Sequence, residues 1–254
     1  MPGRLQDTVA LVTGASSGIG EATARSLAAE GAAVVVVARR RERIEELAGK
    51  IRTEGGAALA VEADITEQEQ GIAAVERAVS ELGRLDILVN NAGLGLLGPV
   101  LGTPTEEWDR MLAVNLQGLL YVTHAALPHL LRAAEDSPRR VADMVNISST
   151  GGRVARPGQA VYSLTKFGVN AFSESLRQEV LRKRLRVSVI EPGTVSTEFA
   201  SRSRDEVREQ IDQQIAGLEL LRPEDIAEAI TFVVTRERRV SVNEILVRAS
   251  DQTW

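Results

Sequence analysis

The chain contains no cysteine, so disulfides, thiol nucleophiles and cysteine-bound metals are excluded. It has two histidines, His124 and His129, five positions apart on an expected helix. They cannot share a face, and a packing or surface role is expected with no metal site. Aromatic residues make up 3% of the chain and no basic stripe is interleaved with them. With a net charge of −5, nothing directs the protein toward nucleic acid. Long apolar runs are also missing: the longest, Gly31 to Ala38, is too short to cross a bilayer and reads as a strand. Met1-Pro2-Gly3-Arg4 opens without the apolar stretch of a secretory signal. A cytoplasmic, metal-independent protein with no membrane partner is therefore expected. Its 254 residues, 44% hydrophobic and 26% charged, suit one α/β domain over 1–254.

What is present is alternation. Val9–Val12, Val34–Val37, Ala58–Val61, Ile87–Val89, Asp143–Ile147, Val187–Ile190 and Glu244–Val247 read as strands. Helical patterns fall between them at about Gly18–Glu30, Arg41–Glu54, Glu67–Leu82, Thr105–Ala134, Gln159–Arg182, Asp205–Ile215 and Pro223–Thr235. Short Val- and Ile-rich runs separated by helices predict a doubly wound, mainly parallel sheet with helices on both faces. The expected division is a cofactor half over about 1–150 and a catalytic and substrate half over about 151–254. The polar stretch 196–215 sits where a loop would pass over the carboxyl edge of the sheet, so it reads as a lid or as a solvated surface helix.

Scarcity also marks the chemistry. Only two tyrosines (Tyr121, Tyr162) and three lysines (Lys50, Lys166, Lys183) occur, yet Tyr162 and Lys166 lie one helical turn apart, thirteen and seventeen residues after Ser149. An ammonium beside a phenol favours the phenolate, which would let the tyrosine exchange a proton near neutrality; an ordinary helix-surface pair has the same spacing. Thr13-Gly14-Ala15-Ser16-Ser17-Gly18-Ile19-Gly20 joins the first strand to the first helix. Glycines there permit a tight turn and let the backbone approach a pyrophosphate at the helix N-terminus, although a purely structural turn would read alike. After the second strand, where an acidic residue would bind ribose hydroxyls, stands Ala38-Arg39-Arg40-Arg41. Guanidinium groups there bind a 2′-phosphate, which favours NADP(H), unless they merely solvate the loop.

That glycine turn, Asn90-Asn91-Ala92-Gly93, Asn115, Ser149 with Tyr162-x-x-x-Lys166, and Pro192-Gly193-Thr194-Val195-Ser196-Thr197 together resemble the short-chain dehydrogenase/reductase family, in the correct order over nearly the whole chain. The resemblance implies a Rossmann-type three-layer sandwich. It also implies roles: Ser16, Ser17 and Ile19 along the phosphates, Arg39 and Arg40 at the 2′-phosphate, Asp64 and Ile65 at the adenine. Asn91, Ala92 and Gly93 would border the cofactor ribose. Val195, following Pro192 and Gly193, and Thr197 would hold the carboxamide, and similar enzymes transfer hydride from the B face. It makes Tyr162 the proton donor to a carbonyl, Ser149 its polariser, Lys166 the depressor of the Tyr162 pKa and a ligand of the nicotinamide ribose, and Asn115 the holder of a relay water.

The ending departs from the glycine-rich stretch of many members: Val242 to Gln252 contains no glycine. With Glu191-Pro192-Gly193 and Phe167 to Glu174, it is similar to an NADP-dependent subgroup holding allo-threonine, serine and 3-hydroxy acid dehydrogenases and a clavulanate-forming aldehyde reductase. Leu96, Leu97, Val154 and Phe199 are expected to supply an apolar substrate wall. Arg153, Arg156, Arg202 and Arg204 are candidates for a carboxylate clamp or simple surface charges. Apolar positions on more than one side of the Gln159–Arg182 helix fit a homodimer or homotetramer, as in similar proteins, or packing within one subunit. A ketoacyl reductase, an epimerase or dehydratase on the same scaffold, and an NADP(H)-sensing binding protein are the competing functions.

Overall fold

Val, Ile, Leu and Ala runs with both faces covered form seven strands among the described residues, 3–253 of the computed structural model. Met1, Pro2 and Trp254, the ends of the expected domain and part of the N-terminal reading, lie outside the described residues. The strands are β1 (Val9–Thr13), β2 (Ala33–Ala38), β3 (Ala57–Glu62), β4 (Ile87–Asn90), β5 (Ala142–Ile147), β6 (Leu185–Pro192) and β7 (Glu244–Val247). They lie in the order β3-β2-β1-β4-β5-β6-β7. Every neighbouring pair is parallel, so the sheet is entirely parallel where a mainly parallel one was expected. The helices are α1 (Gly18–Ala29), α2 (Arg41–Thr53), α3 (Gln68–Leu82), α4 (Thr105–Leu112), α5 (Leu119–Asp136), α6 (Ala160–Glu179), α7 (Asp205–Ile215) and α8 (Pro223–Val234).

Strand periodicity sends alternate residues to opposite layers. Val12, Val34 and Val36 pack with Leu27, Ile44 and Ile230 from α1, α2 and α8. Leu11, Val35 and Leu88 pack with Val75, Leu130 and Leu176 from α3, α5 and α6. The chain runs from β1 outward to β2 and β3, then returns to place β4 on β1's other side. That reversal opens a crevice at the carboxyl ends of the strands, where Gly14, Asn91, Ser149 and Gly193 follow β1, β4, β5 and β6.

Two features escape the pattern of apolar runs. The expected single helix from Thr105 is three pieces, α4, a wider π-helical turn over Ala113–Gly118 that carries Asn115, and α5. Such turns concentrate at functional sites. Second, a buried polar ladder crosses the sheet. The Asn90 amide donates to Thr123 Oγ1 and Asn146 Oδ1, both at 2.9 Å, and the Asn146 amide donates to Ser173 at 2.8 Å. It ties β4 and β5 to α5 and α6 directly beneath the crevice.

At the opposite edge Arg186 forks onto Asp143 at 2.7 and 3.0 Å, and both side chains are buried. Arg139 also reaches Asp143, at 2.9 Å. Truncating Arg186 leaves a buried carboxylate with one partner where it had two. Arg186→Ala is expected to lose about 3–5 kcal/mol of unfolding free energy in urea titration. A loss under about 1 kcal/mol would show the pair to be dispensable.

Candidate active site

The turn after β1 is built around close approach. A Cβ on Gly14, whose φ is +66°, would lie 2.8 Å from the Ala92 Cα, and one on Gly20 would lie 2.5 Å from the Gly14 carbonyl oxygen. Asn91 fastens the approach by donating its amide to the carbonyls of Thr13 (2.9 Å) and Gly14 (3.3 Å). Ser17 precedes α1 in an extended conformation and its hydroxyl does not cap the helix; it accepts instead from Arg40 Nη2 at 2.6 Å. The first amides of α1 are thus left for an anion.

From this turn a cleft of about 1190 Å³ runs past Val37–Arg40, Ala63–Ile65 and Asn91–Leu94 to Ser149, Tyr162 and Lys166. Every expected cofactor residue except Gly18 and Gly20, which shape the turn from behind, lines it: Gly14, Ser16, Ser17, Ile19, Arg39, Arg40, Asp64, Ile65, Asn91, Ala92, Gly93, Pro192, Gly193, Val195 and Thr197. The two arginines expected at one phosphate diverge. Arg39 turns to Asp64 at 3.2 Å, whereas Arg40 donates to Ser16 at 3.1 and 2.9 Å. Arg43, not picked out in the sequence, stands beside Arg40 by sharing its carboxylate partner, Glu198.

At the floor of the cleft α6 presents Tyr162 and Lys166. Ser149 Oγ accepts from the Gly151 amide at 3.0 Å, which leaves its hydrogen free to donate. Lys166 is buried and donates to the Ile147 carbonyl at 2.8 Å, with its Nζ 5.9 Å from the Tyr162 ring centroid. The net shift of the phenol is upward where a depressed one was expected, and burial is its cause. Burial pushes Tyr162 up to about 12, opposed in part by a hydrogen bond with Ser149. Burial also pushes Lys166 down to about 8, so the cation is weakened by the same dry surroundings that would strengthen its pull. The Asn115 side chain is committed to the protein itself. Its side-chain oxygen accepts from the Leu94 amide at 2.7 Å, and its nitrogen donates to Leu94 O (2.8 Å) and Thr165 Oγ1 (3.0 Å). Both amide hydrogens are committed, so the side chain works as a bracket between the β4 loop and α6.

The expected substrate wall is also rearranged. Val154 and Phe199 line the cleft, and Phe199 meets the Tyr162 ring edge-on at 5.7 Å. Leu96 instead is buried with Leu94 and Met111, because the extended segment turns it inward, while Leu97 faces the cleft. Of the four arginines, Arg153 is held by buried Glu191 (2.6 Å) and by Glu244, and Arg204 by Glu107 (3.2 Å). Arg156 and Arg202 line the cleft. Glu191 also accepts from Asn170 on α6 at 2.8 Å, so one buried carboxylate braces the Ser149 turn, α6 and the Pro192 loop. Gln252 completes that loop by accepting from the Thr194 amide at 2.9 Å.

A model of the short chain dehydrogenase family matches residues 8–208. The chain belongs to the short-chain dehydrogenase family. It is 35% identical over 253 residues to an uncharacterized oxidoreductase of Staphylococcus saprophyticus, covering 98% of each chain. A serine dehydrogenase in its closed form with NADP+ superposes with a TM-score of 0.86 at 32% identity, covering 97% of both chains. A 3-ketoacyl-(acyl-carrier-protein) reductase from Brucella melitensis complexed with NADH gives 0.84 at 35% identity, over 97% of this chain and 98% of that one. The chain is thus an oxidoreductase of this family with its Rossmann-type fold. Among the described residues no helix is long and apolar enough to cross a membrane, and no cluster of metal-ligating side chains occurs.

Glu191, Asn170, Arg43, Glu198 and Gln252 are the site residues that sequence reasoning passed over. Glu191 and Asn170 had one available signal, a charge or amide inside an otherwise apolar strand or helix pattern. The lysine at the floor has a measurable consequence. Its native pKa, about 8, lies below the ordinary 10.5, so between those values the unfolded chain binds more protons and native stability rises with pH. The rise from pH 8 to 10 is expected to be about 2 kcal/mol larger in the wild type than in Lys166→Met. Parallel urea-derived stability curves for the two proteins would contradict that burial. Above pH 10 Tyr162 acts with the opposite sign, because its native pKa exceeds the unfolded value of 10.0.

Proposed function

We propose that this protein is an NADPH-dependent reductase of an aldehyde or ketone, running in reverse as an alcohol dehydrogenase. The observation that carries the reading is the gathering of Ser149, Tyr162 and Lys166 at the floor of the same cleft whose other end is the glycine turn and Arg40. The residues present fit such a cofactor. Gly14 and Gly20 leave no room for a side chain, the α1 N-terminus is uncapped, and Arg40 stands over two seryl hydroxyls. When bound, the reduced nicotinamide supplies a hydride from C4.

The chain's own groups do the rest. Ser149 donates to the carbonyl oxygen and orients it. Tyr162, protonated at neutral pH because burial holds its pKa near 12, gives its proton to that oxygen as negative charge develops. A raised pKa suits reduction, where the phenol must arrive as the acid. Lys166 stays close enough to stabilise the tyrosinate left behind and keeps its remaining hydrogens for the ribose. With both side-chain hydrogens of Asn115 committed, a relay water there would have to be held by its main-chain carbonyl. Val195 and Thr197 position the carboxamide, and Pro192 and Gly193 shape their loop.

Within the cleft Arg156 and Arg202 stand without an ion-pair partner among the described residues, and Val154, Leu97 and Phe199 supply apolar surface. This favours a modest carbonyl compound that carries an acidic group, as the likeness to the serine, allo-threonine and aldehyde-reducing subgroup also suggests. The half-exposed Leu120, Leu164 and Phe167 on α5 and α6 offer a surface for a second copy, giving a homodimer or homotetramer.

Tyr162→Phe is expected to lower kcat for NADPH oxidation at 340 nm at least about 100-fold while its Kd for NADPH stays within about threefold. Retention of a tenth of the wild-type rate would mean that another group delivers the proton. For the acidic group, kcat/KM for an aldehyde acid is expected to exceed that of its methyl ester about tenfold. Equal values would remove Arg156 and Arg202 from substrate binding.

A further inference from the structure

Three consecutive residues after β6 touch three different parts of the cleft. The Thr197 side chain packs over Gly18, where a Cβ would lie 3.0 Å from its methyl group. Glu198 extends its carboxylate across the cleft to Arg40 Nη1 at 2.8 Å and Arg43 Nη1 at 2.7 Å. Phe199 turns the other way. It meets Tyr162 edge-on and sits so tightly over Gly95 that a Cβ there would lie 2.1 Å from its ring.

The Glu198 carboxylate occupies a revealing position. Arg40 is the residue that also holds Ser16 and Ser17, so its guanidinium already faces the phosphate-binding turn from the rim. The anion seated on that guanidinium belongs to the chain itself and comes from a segment more than 150 residues away in sequence. The two guanidinium groups hold the Glu198 carboxyl at about 2, so it is charged at any working pH. Arg202, four residues further on, lines the same cleft and feels Arg39 and Arg40 closely enough to be lowered by them, after burial. A segment carrying both a carboxylate and an arginine to this rim is suited to exchange one anion for another.

We infer that Glu198 is a built-in competitor for the cofactor's 2′-phosphate, and that its displacement from Arg40 and Arg43 selects NADP(H) over NAD(H) for opening the substrate end of the cleft. The inference rests on the NADP(H) reading above. A phosphate monoester carries more charge than a carboxylate and matches the guanidinium fork, so it can replace Glu198 on both arginines. A ribose hydroxyl cannot. Adjacent Cα atoms are only about 3.8 Å apart, so a backbone movement that carries Glu198 off the rim also shifts Phe199 at the Tyr162 ring. The nucleotide thereby biases one chain segment between two positions, and only a 2′-phosphorylated one has the differential affinity to do so.

The test needs no turnover. Dissociation constants for NADPH, NADH, adenosine 2′,5′-bisphosphate and 5′-AMP would be measured by calorimetry on the wild type and on Glu198→Gln. The variant is expected to bind NADPH and the bisphosphate about three- to tenfold more tightly, the size of releasing two half-exposed ion pairs, with NADH and 5′-AMP within twofold. Unchanged or weaker NADPH binding in the variant overturns the inference, the weaker result making Glu198 a clamp over the bound cofactor. Amide exchange supplies the second readout. In the wild type, residues 197–204 should exchange faster with the bisphosphate than with 5′-AMP, and in Glu198→Gln they should be fast without either. Equal protection in all states overturns the coupling to Phe199. A wild type that binds the bisphosphate no better than 5′-AMP would instead remove the NADP(H) reading itself.

Discussion

The turn after β1 can touch the turn after β4 only because no side chain stands between them, and the site is arranged around that contact. Gly14 and Gly20 clear the space, and Asn91 closes it with two hydrogen bonds to the backbone of the neighbouring turn. With β1 and β4 pinned edge to edge, the reversal of strand order leaves its crevice directly above them. The loops after β5 and β6 then have one cavity to face. Asn115 and Glu191 finish the alignment from below, the first bracketing the β4 loop to α6 and the second joining α6 to the Ser149 and Pro192 segments.

The two ends of the cleft differ in electrostatics for one reason, access to water. At the rim Arg39, Arg40 and Arg43 are partly exposed and each pairs with a carboxylate. At the floor, burial works against both charged forms at once, raising the phenol and lowering the ammonium. The result is a neutral acid beside a cation close to losing its proton, an arrangement that favours giving a proton to a developing alkoxide over taking one from an alcohol. A positively charged oxidised nicotinamide close by would shift the balance toward the phenolate, so the same residues can serve the reverse reaction.

Element type and order were legible in the chain because apolar periodicity and glycine placement are local signals. The strands at Val9, Ala33 and Asp143 and the helix bearing Tyr162 and Lys166 lie within a few residues of where the pattern puts them. Spacing alone could not give the sign of the Tyr162 shift, since it depends on how much water reaches the pair. Nor could it distinguish Arg153 and Arg204, neutralised by Glu191 and Glu107, from Arg156 and Arg202, because their partners are distant in sequence. Leu96 was misplaced for a related reason: in an extended segment neighbouring leucines face opposite ways, and only tertiary packing chooses which one is buried. The π-helical turn at Asn115 also has no local composition to mark it.

The central claim is that a hydride passes directly from nicotinamide to a carbonyl carbon held between Ser149 and Tyr162. Reduction with NADPH deuterated at the B-face hydrogen of C4 tests it most directly, read by mass spectrometry of the alcohol formed from a reducible aldehyde. One deuterium on the carbinol carbon of every product molecule, with none in Tyr162→Phe incubations beyond its residual turnover, is the predicted result. An alcohol carrying only solvent hydrogen at that carbon would contradict it.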